Sequence, residues 1–132
     1  MIKDLIQSAI DEESKPYWDG LKEGKLFIQY CGGCHQSIFY PRTICPHCFS
    51  EEMSWQESSG TGKIYSFTIV HQAFGPFKGD TPFVIGIIEL DEGVRMMTRI
   101  IGDKEEIAID KRVSVVFSMV ESDLVLPYFE VV

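Results

Sequence analysis

The chain has 132 residues, the length of one ordinary domain or of two very small ones. Hydrophobic residues make up 45% and charged residues 24%, a composition typical of a folded globular protein rather than a disordered one. Lys and Arg total 12 against 20 Asp and Glu, and the net charge of −8 argues against a protein that holds nucleic acid phosphates or an anionic membrane.

Hydropathy indicates no membrane span and no secretory signal. The longest apolar runs are about five residues, whereas a bilayer-spanning helix needs roughly 20. The N-terminus carries Asp4 where a signal peptide would be apolar. We therefore expect a cytoplasmic protein with no membrane partner.

Residues 1–24 are predicted to be helical. An apolar stripe at helical spacing comprises Ile2, Leu5, Ile6, Ala9 and Ile10. A second short helix should begin near Ser14, whose side chain can cap it, with Pro16 in its first turn. Gly24 would end it in the left-handed conformation. Either both helices pack on their own domain, or one face contacts another protein, because the following segments look too small to bury every apolar residue.

Residues 25–60 carry all four cysteines, as Cys31-Gly-Gly-Cys34 and Cys45-Pro-His-Cys48. In a reducing compartment, two C-x-x-C turns at this spacing indicate a metal site rather than disulfides. A segment of this size cannot bury enough surface to fold on its own core, and a bound metal supplies the missing cross-link.

Zinc is the predicted metal, with a rubredoxin-like iron site as the alternative. Four protein thiolates would fill a tetrahedral coordination sphere and leave no open position for water or substrate. The site should therefore be structural. His35 and His47 are surplus to this ligand set, and surface or supporting positions are expected for them.

Residues 61–132 are predicted to form a small five-stranded barrel. The joint Ser58-Ser-Gly-Thr-Gly62 precedes this region. Short strands with β-type patterning are predicted over 63–71, 83–90, 94–101, 113–120 and 124–132. Closure into a barrel removes the exposed edges that an open sheet of this size would carry. The fold class is thus mainly β, with N-terminal α-helices, a metal-bearing segment and a small five-stranded barrel.

The sequence lacks a recognisable catalytic motif. All four thiols are assigned to the metal, and the histidines have no Glu at the offsets of a zinc hydrolase or deaminase. Glu89, Asp91 and Glu92 are interpreted as an exposed acidic turn rather than a catalytic carboxylate pair. His71 has an uncommitted setting, but a packed or surface histidine is commoner than a catalytic one. The chain is therefore predicted not to be an enzyme by itself.

The order of these motifs resembles the DUF35 family. The relevant residues are Pro16 to Leu26, the two cysteine turns, Tyr40-Pro41-Arg42, Trp55, Ser59 to Gly62, Val70-His71, Pro82-Phe83 and Glu89 to Gly93. The resemblance runs from about Ser14 to the C-terminus. It implies a rubredoxin-like zinc ribbon joined to an OB-fold, in an accessory subunit of a thiolase-like or other acyl-CoA-processing enzyme.

The resemblance also implies a role in holding CoA, whose phosphates and adenine need cations, backbone amides and an aromatic slot. The candidate residues are Phe74, Phe77, Lys78, Arg95 and Arg99. The spacing of the two arginines places them on one face of a strand. The alternative is that these residues are ordinary solvated charges and loop aromatics.

Two other function classes are alternatives to the accessory role. A zinc ribbon with an OB-fold also occurs in single-stranded nucleic-acid-binding proteins, which need a basic face. From residue 61 onward, however, seven Lys and Arg stand against eleven Asp and Glu. The third class, an enzyme in its own right, would have to rely on His71 as acid or base. The accessory role is therefore preferred.

Overall fold

The computed structural model describes residues 12–73, 79–121 and 124–132. One helix, α1 (Lys15–Lys22), precedes a three-stranded sheet and a closed five-stranded barrel. This confirms the mainly β fold class. The predicted apolar stripe from Ile2 to Ile10 lies outside the described residues. Within the described part of the chain, no helix has the length and apolarity needed to cross a bilayer.

Helix α1 begins and ends near the predicted residues. Pro16 lies in its first turn, and Gly24 follows it with a φ of 75°. The predicted side-chain cap is wrong: Ser14 occupies the cap position, but its side chain makes no capping hydrogen bond. Instead its backbone carbonyl accepts hydrogen bonds from the amides of Tyr17 (3.0 Å) and Trp18 (3.3 Å). The first turn is thus closed by backbone alone.

The ribbon sheet has the strand order β2-β1-β3 and is antiparallel throughout. Its strands are β1 (Phe27–Cys31), β2 (Ser37–Ile38) and β3 (Met53–Glu57). The buried side chain of Gln29 fastens the segment before the second cysteine turn to β1. Its amide nitrogen donates to the Arg42 carbonyl (2.8 Å), and its amide oxygen accepts from the Arg42 amide (2.6 Å).

The barrel has the order β4-β5-β6-β8-β7 and closes through the pairing of β7 with β4. The five strands are β4 (Thr61–Val70), β5 (Phe83–Leu90), β6 (Arg95–Ile101), β7 (Arg112–Glu121) and β8 (Leu124–Val131). Only β6 and β8 pair in parallel among the described strand pairs. Each strand overlaps the corresponding predicted one, because alternate residues face a buried interior that includes Ile64, Ile88 and Phe129.

Helix, ribbon and barrel share one hydrophobic core. Leu21 of α1 and Leu26 and Ile28 at the start of the ribbon pack in the same buried cluster as the barrel interior. A smaller cluster comprises Cys31, Cys45 and Ile38 at the cysteine turns. The ribbon is therefore anchored at one end by apolar burial and at the other end by its cysteines.

The joint between ribbon and barrel is held by the acidic turn after β5. The Glu92 carboxylate accepts hydrogen bonds from the Ser58 hydroxyl and the Ser59 amide, both at 2.8 Å. The Asp91 carboxylate accepts two hydrogen bonds of 2.9 Å from Arg112 and one from the Thr61 hydroxyl. Asp91 thereby connects the β5–β6 turn to both strands at the seam where the barrel closes.

This bonding predicts a pH-dependent contribution of Asp91 to stability. Hydrogen bonds from Arg112 and then from Thr61 lower the pKa of Asp91 from 3.8 to about 2. A carboxyl group with a lowered pKa in the folded state stabilises the fold above its ordinary pKa, and that stabilisation is lost as the pH falls towards about 2. Since both partners are about half-exposed, we expect Asp91→Asn to lower the free energy of unfolding by about 0.5–1 kcal/mol at pH 7.

Urea unfolding at pH 7 and at pH 3 checks this expectation, and the loss should be smaller at pH 3. Asp103→Asn, which changes an exposed loop aspartate, is the matched control. An equal loss at the two pH values would contradict the assignment.

Candidate metal centre and adjoining cleft

The fold brings the four cysteine thiols together at the tip of the ribbon. The ligand atoms of Cys31, Cys34, Cys45 and Cys48 all lie within 4.8 Å of one another. The Cys31 and Cys48 sulfurs are 3.5 Å apart, and those of Cys34 and Cys45 are 3.7 Å apart. A tetrahedral zinc–thiolate centre with bonds of about 2.3 Å has sulfur–sulfur edges of about 3.8 Å. The donor set and its spacing therefore fit such a metal.

The two cysteine turns have matching backbone geometry. The residue after each turn is left-handed, with a φ of 62° at His35 and 63° at Phe49. The His35 amide donates a 2.9 Å hydrogen bond to the Cys31 carbonyl, and the Phe49 amide donates one of the same length to the Cys45 carbonyl. Backbone amides also approach the first sulfurs, from Cys34 to Cys31 (3.5 Å) and from His47 to Cys45 (3.3 Å). Each turn thus presents two sulfurs on the same side.

The sulfurs differ in their exposure and their pKa. Cys31 and Cys45 are fully buried, Cys34 is half-buried and Cys48 is exposed. The backbone hydrogen bond from Cys34 is the main cause that lowers the pKa of the Cys31 thiol to about 6. Burial, followed by hydrogen bonding with Cys31, raises the pKa of the Cys34 thiol to about 12. A divalent cation would favour the thiolate form of all four, because the thiolate is the form that binds metal.

The histidines next to the cysteines stand outside this cluster. The Tyr30 hydroxyl lies 3.0 Å from Nδ1 of His35, and both His35 and His47 are exposed. Among the described residues, the cysteine quartet is the one group of three or more His, Cys, Asp or Glu side chains placed to share a metal ion. His71, the remaining histidine, is exposed at the end of β4.

A cleft of about 580 Å³ lies between α1, the ribbon and the barrel. Its walls include Tyr17, Trp18, Phe39, Tyr40, Met97 and Tyr128. An aromatic series connects the helix to the ribbon: the Tyr17 ring centroid lies 5.1 Å from that of Trp18 and 5.4 Å from that of Phe39. Burial raises the pKa of Tyr17 above its ordinary value. The cleft therefore has an aromatic side from the helix and ribbon and another side made by the barrel strands.

Comparison with known proteins gives the same architecture. Residues 18–54 match the family model of the ChsH2 rubredoxin-like zinc ribbon domain, and residues 55–118 match that of the ChsH2 C-terminal OB-fold domain. A DUF35 domain-containing scaffold protein of Methanocaldococcus jannaschii is 37% identical over 80% of this chain and 77% of its own length. The chain belongs to the DUF35 family.

Further similarities link this DUF35 chain to subunits of larger enzymes. A probable enoyl-CoA hydratase alpha subunit of Thermomonospora curvata is 34% identical over 92% of the chain, but the chain spans only 38% of that relative's length. A solved structure of an Ltp2-ChsH2(DUF35) aldolase superposes with a TM-score of 0.83 at 31% identity, covering 93% of this chain and 97% of the other.

The two arginines predicted to bind CoA lie on the outward face of β6 in the DUF35 barrel but differ in position. Arg99 lines the cleft, with its guanidinium 4.1 Å from the Phe83 ring centroid and 3.4 Å from the Asp80 carboxylate. Arg95 is not a cleft residue: it lies 3.9 Å from the Tyr65 ring centroid and 3.2 Å from the Glu89 carboxylate. Arg99 therefore lines the cleft, whereas Arg95 does not.

The other predicted CoA residues, Phe74, Phe77 and Lys78, lie outside the described residues. The aromatic cleft walls were not predicted as a site from the sequence. Their signal was present in the apolar side of α1 and in the adjacent pair Phe39-Tyr40. That signal predicts burial, but it does not predict that the two segments face each other across a cavity.

Phe49, the residue after the second cysteine turn, has a left-handed backbone conformation that favours glycine. A residue with a Cβ is strained at a φ of 63°, whereas glycine is not. Because the Phe49 side chain is 77% exposed, its removal costs little packing. We expect Phe49→Gly to be about 1 kcal/mol more stable than Phe49→Ala.

Chemical denaturation of the two variants measures this difference. Phe49→Ala is the matched control, since it loses the same ring and retains the Cβ. Equal stabilities would show that the turn relaxes to another conformation in solution.

Proposed function

We propose that this DUF35 protein is a non-catalytic, zinc-binding accessory subunit of a thiolase-like or other acyl-CoA-processing enzyme. The observation that carries the proposal is the convergence of four thiols, because a quartet of protein ligands fills a tetrahedral metal and leaves no position for substrate. Such a metal supports the fold. The chemistry would then belong to a partner.

The similarities support the same conclusion. Relatives of comparable length are called scaffold proteins, and a longer relative is named as a hydratase subunit. A member of the family is present in a solved aldolase structure. A scaffold that recurs beside several acyl-CoA chemistries is expected to position a partner or its thioester rather than to carry one reaction.

Nucleic acid binding is the weaker alternative. Two arginines on the barrel surface are already paired with carboxylates, Arg95 with Glu89 and Arg112 with Asp91. Together with the net charge of −8, this pairing disfavours a phosphate-binding face.

CoA binding is part of the proposal. Within the described residues, Arg99 is the cation that we assign to contact the bound CoA thioester. Its side chain is 17% exposed and lies at the cleft, so a phosphate or carbonyl oxygen of a bound thioester would approach it there. Arg95, Phe74, Phe77 and Lys78 remain candidates for contacts with the nucleotide.

Metal analysis tests the structural site. We expect one zinc ion per chain in a colourless protein, whereas ferric iron with four thiolates would absorb visible light. Removal of the metal by a chelator, or Cys45→Ser, should increase amide hydrogen exchange over residues 31–50. The barrel should keep its protection, because Leu26 and Ile28 anchor the ribbon base in the shared core.

His47→Ala is the matched control for Cys45→Ser, since this exposed side chain lies outside the thiol cluster and the variant should retain the metal. A metal-free protein with unchanged protection over residues 31–50 would contradict the structural role.

Purification of the tagged full chain from its native host tests the accessory role. We expect an acyl-CoA-processing enzyme to co-purify in stoichiometric amount. Turnover of acyl-CoA substrates should require that enzyme and be absent from the chain alone. Turnover by the isolated chain, or recovery of the chain without a companion, would count against the proposal.

A further inference from the structure

The cleft is large enough for a small-molecule site. Its volume of about 580 Å³ lies within the range of roughly 300–1,000 Å³ that is typical of ligand pockets. The walls come from three parts of the chain: α1 supplies Trp18, the ribbon supplies Tyr40 and β6 supplies Met97. The cavity therefore exists only where helix, ribbon and barrel are assembled together.

The surface of the cleft is mainly hydrocarbon and aromatic. Met97 is 60% exposed and Tyr40 is 52% exposed, although both are large apolar side chains. Of the other cleft residues, Met96 belongs to the buried core and Phe39 packs against it. Exposed apolar surface that lines a cavity is stabilised when a ligand removes it from water.

Two polar side chains of the cleft, Thr98 and Arg99, are already engaged. The Thr98 hydroxyl donates a 2.6 Å hydrogen bond to the Pro127 carbonyl. The guanidinium of Arg99 lies 4.1 Å from the Phe83 ring centroid and 5.3 Å from the Tyr128 ring centroid, and it is paired with Asp80. Consequently the cleft cannot neutralise several phosphates, but it offers one partly neutralised cation beside apolar walls.

Glu13 also lines the cleft and adds a negative charge near the start of α1. Anionic groups are therefore disfavoured on the helix side of the cavity. The charge distribution suits a ligand that is uncharged and apolar over most of its length and has a single oxygen near Arg99.

We infer that this cleft binds the hydrocarbon chain of an acyl thioester, with its carbonyl end toward Arg99. The inference rests on the proposed function, which supplies the thioester, and it assigns the acyl chain rather than the nucleotide of CoA to the cavity. The protein would then help to select thioesters by the length of their acyl chain.

Calorimetric titration of the full chain with acyl-pantetheine thioesters of increasing length tests the assignment, with free CoA as a further probe. Each methylene that enters the cleft should tighten binding about fourfold until the cavity is filled. Met97→Lys should weaken binding of the longest chain by about tenfold, because a charge would replace part of the apolar wall.

Met119→Lys is the matched control. Met119 is a 72% exposed methionine on the barrel surface that does not line the cleft, so this change should leave the affinity unaltered. A fatty acid of equal length distinguishes the two sources of an acyl chain, since it carries a carboxylate in place of the neutral thioester carbonyl.

Affinity that rises with chain length and falls in Met97→Lys alone supports the inference. Free CoA binding as tightly as the acylated probes, an equal loss in Met119→Lys, or tighter binding of the fatty acid than of the thioester would overturn it. Co-purification of a partner enzyme without any dependence on chain length would remove the acyl site and leave the accessory role intact. Binding that depends on chain length, without co-purification of a partner enzyme, would retain the acyl site and count against the accessory role.

Discussion

The convergence of four sulfur atoms is the constraint on which the ribbon depends. The cysteine turns lie at the end of a three-stranded sheet whose tip buries little besides Ile38 and the cysteines themselves. Apolar burial of this extent cannot offset the entropy of ordering two exposed loops, so a cross-link is required there. The matching left-handed residues after both turns show that the backbone is shaped to present sulfurs rather than to bury side chains.

The ribbon in turn positions the wall of the cleft. Gln29 bonds the Arg42 backbone to β1, and the Phe39-Tyr40-Pro41 segment that lines the cavity immediately precedes this anchor. At the other end, the Glu92 and Asp91 carboxylates hold the joint on the barrel seam. The exposed acidic turn thus links the end of the ribbon to the barrel strands.

Most of the fold followed from local patterns. The β5 strand was predicted to the residue, because apolar β-type patterning and flanking turn residues are local signals. The side-chain cap at Ser14 was wrong, since several backbone and side-chain arrangements close the first turn of a helix equally well. Of the candidate CoA residues, Arg99 faces the cleft whereas Arg95 pairs with Glu89, a difference decided by neighbouring strands.

The amino-acid sequence alone determined the four metal-ligand candidates, because two short turns present their sulfurs through backbone geometry that is local to each turn. It also determined the barrel strands, through a two-residue periodicity. Only the tertiary structure decided that Trp18, Tyr40 and Met97, which are far apart in sequence, face one cavity. That arrangement depends on the long-range packing of helix, ribbon and barrel, which the spacing of residues along the chain does not predict.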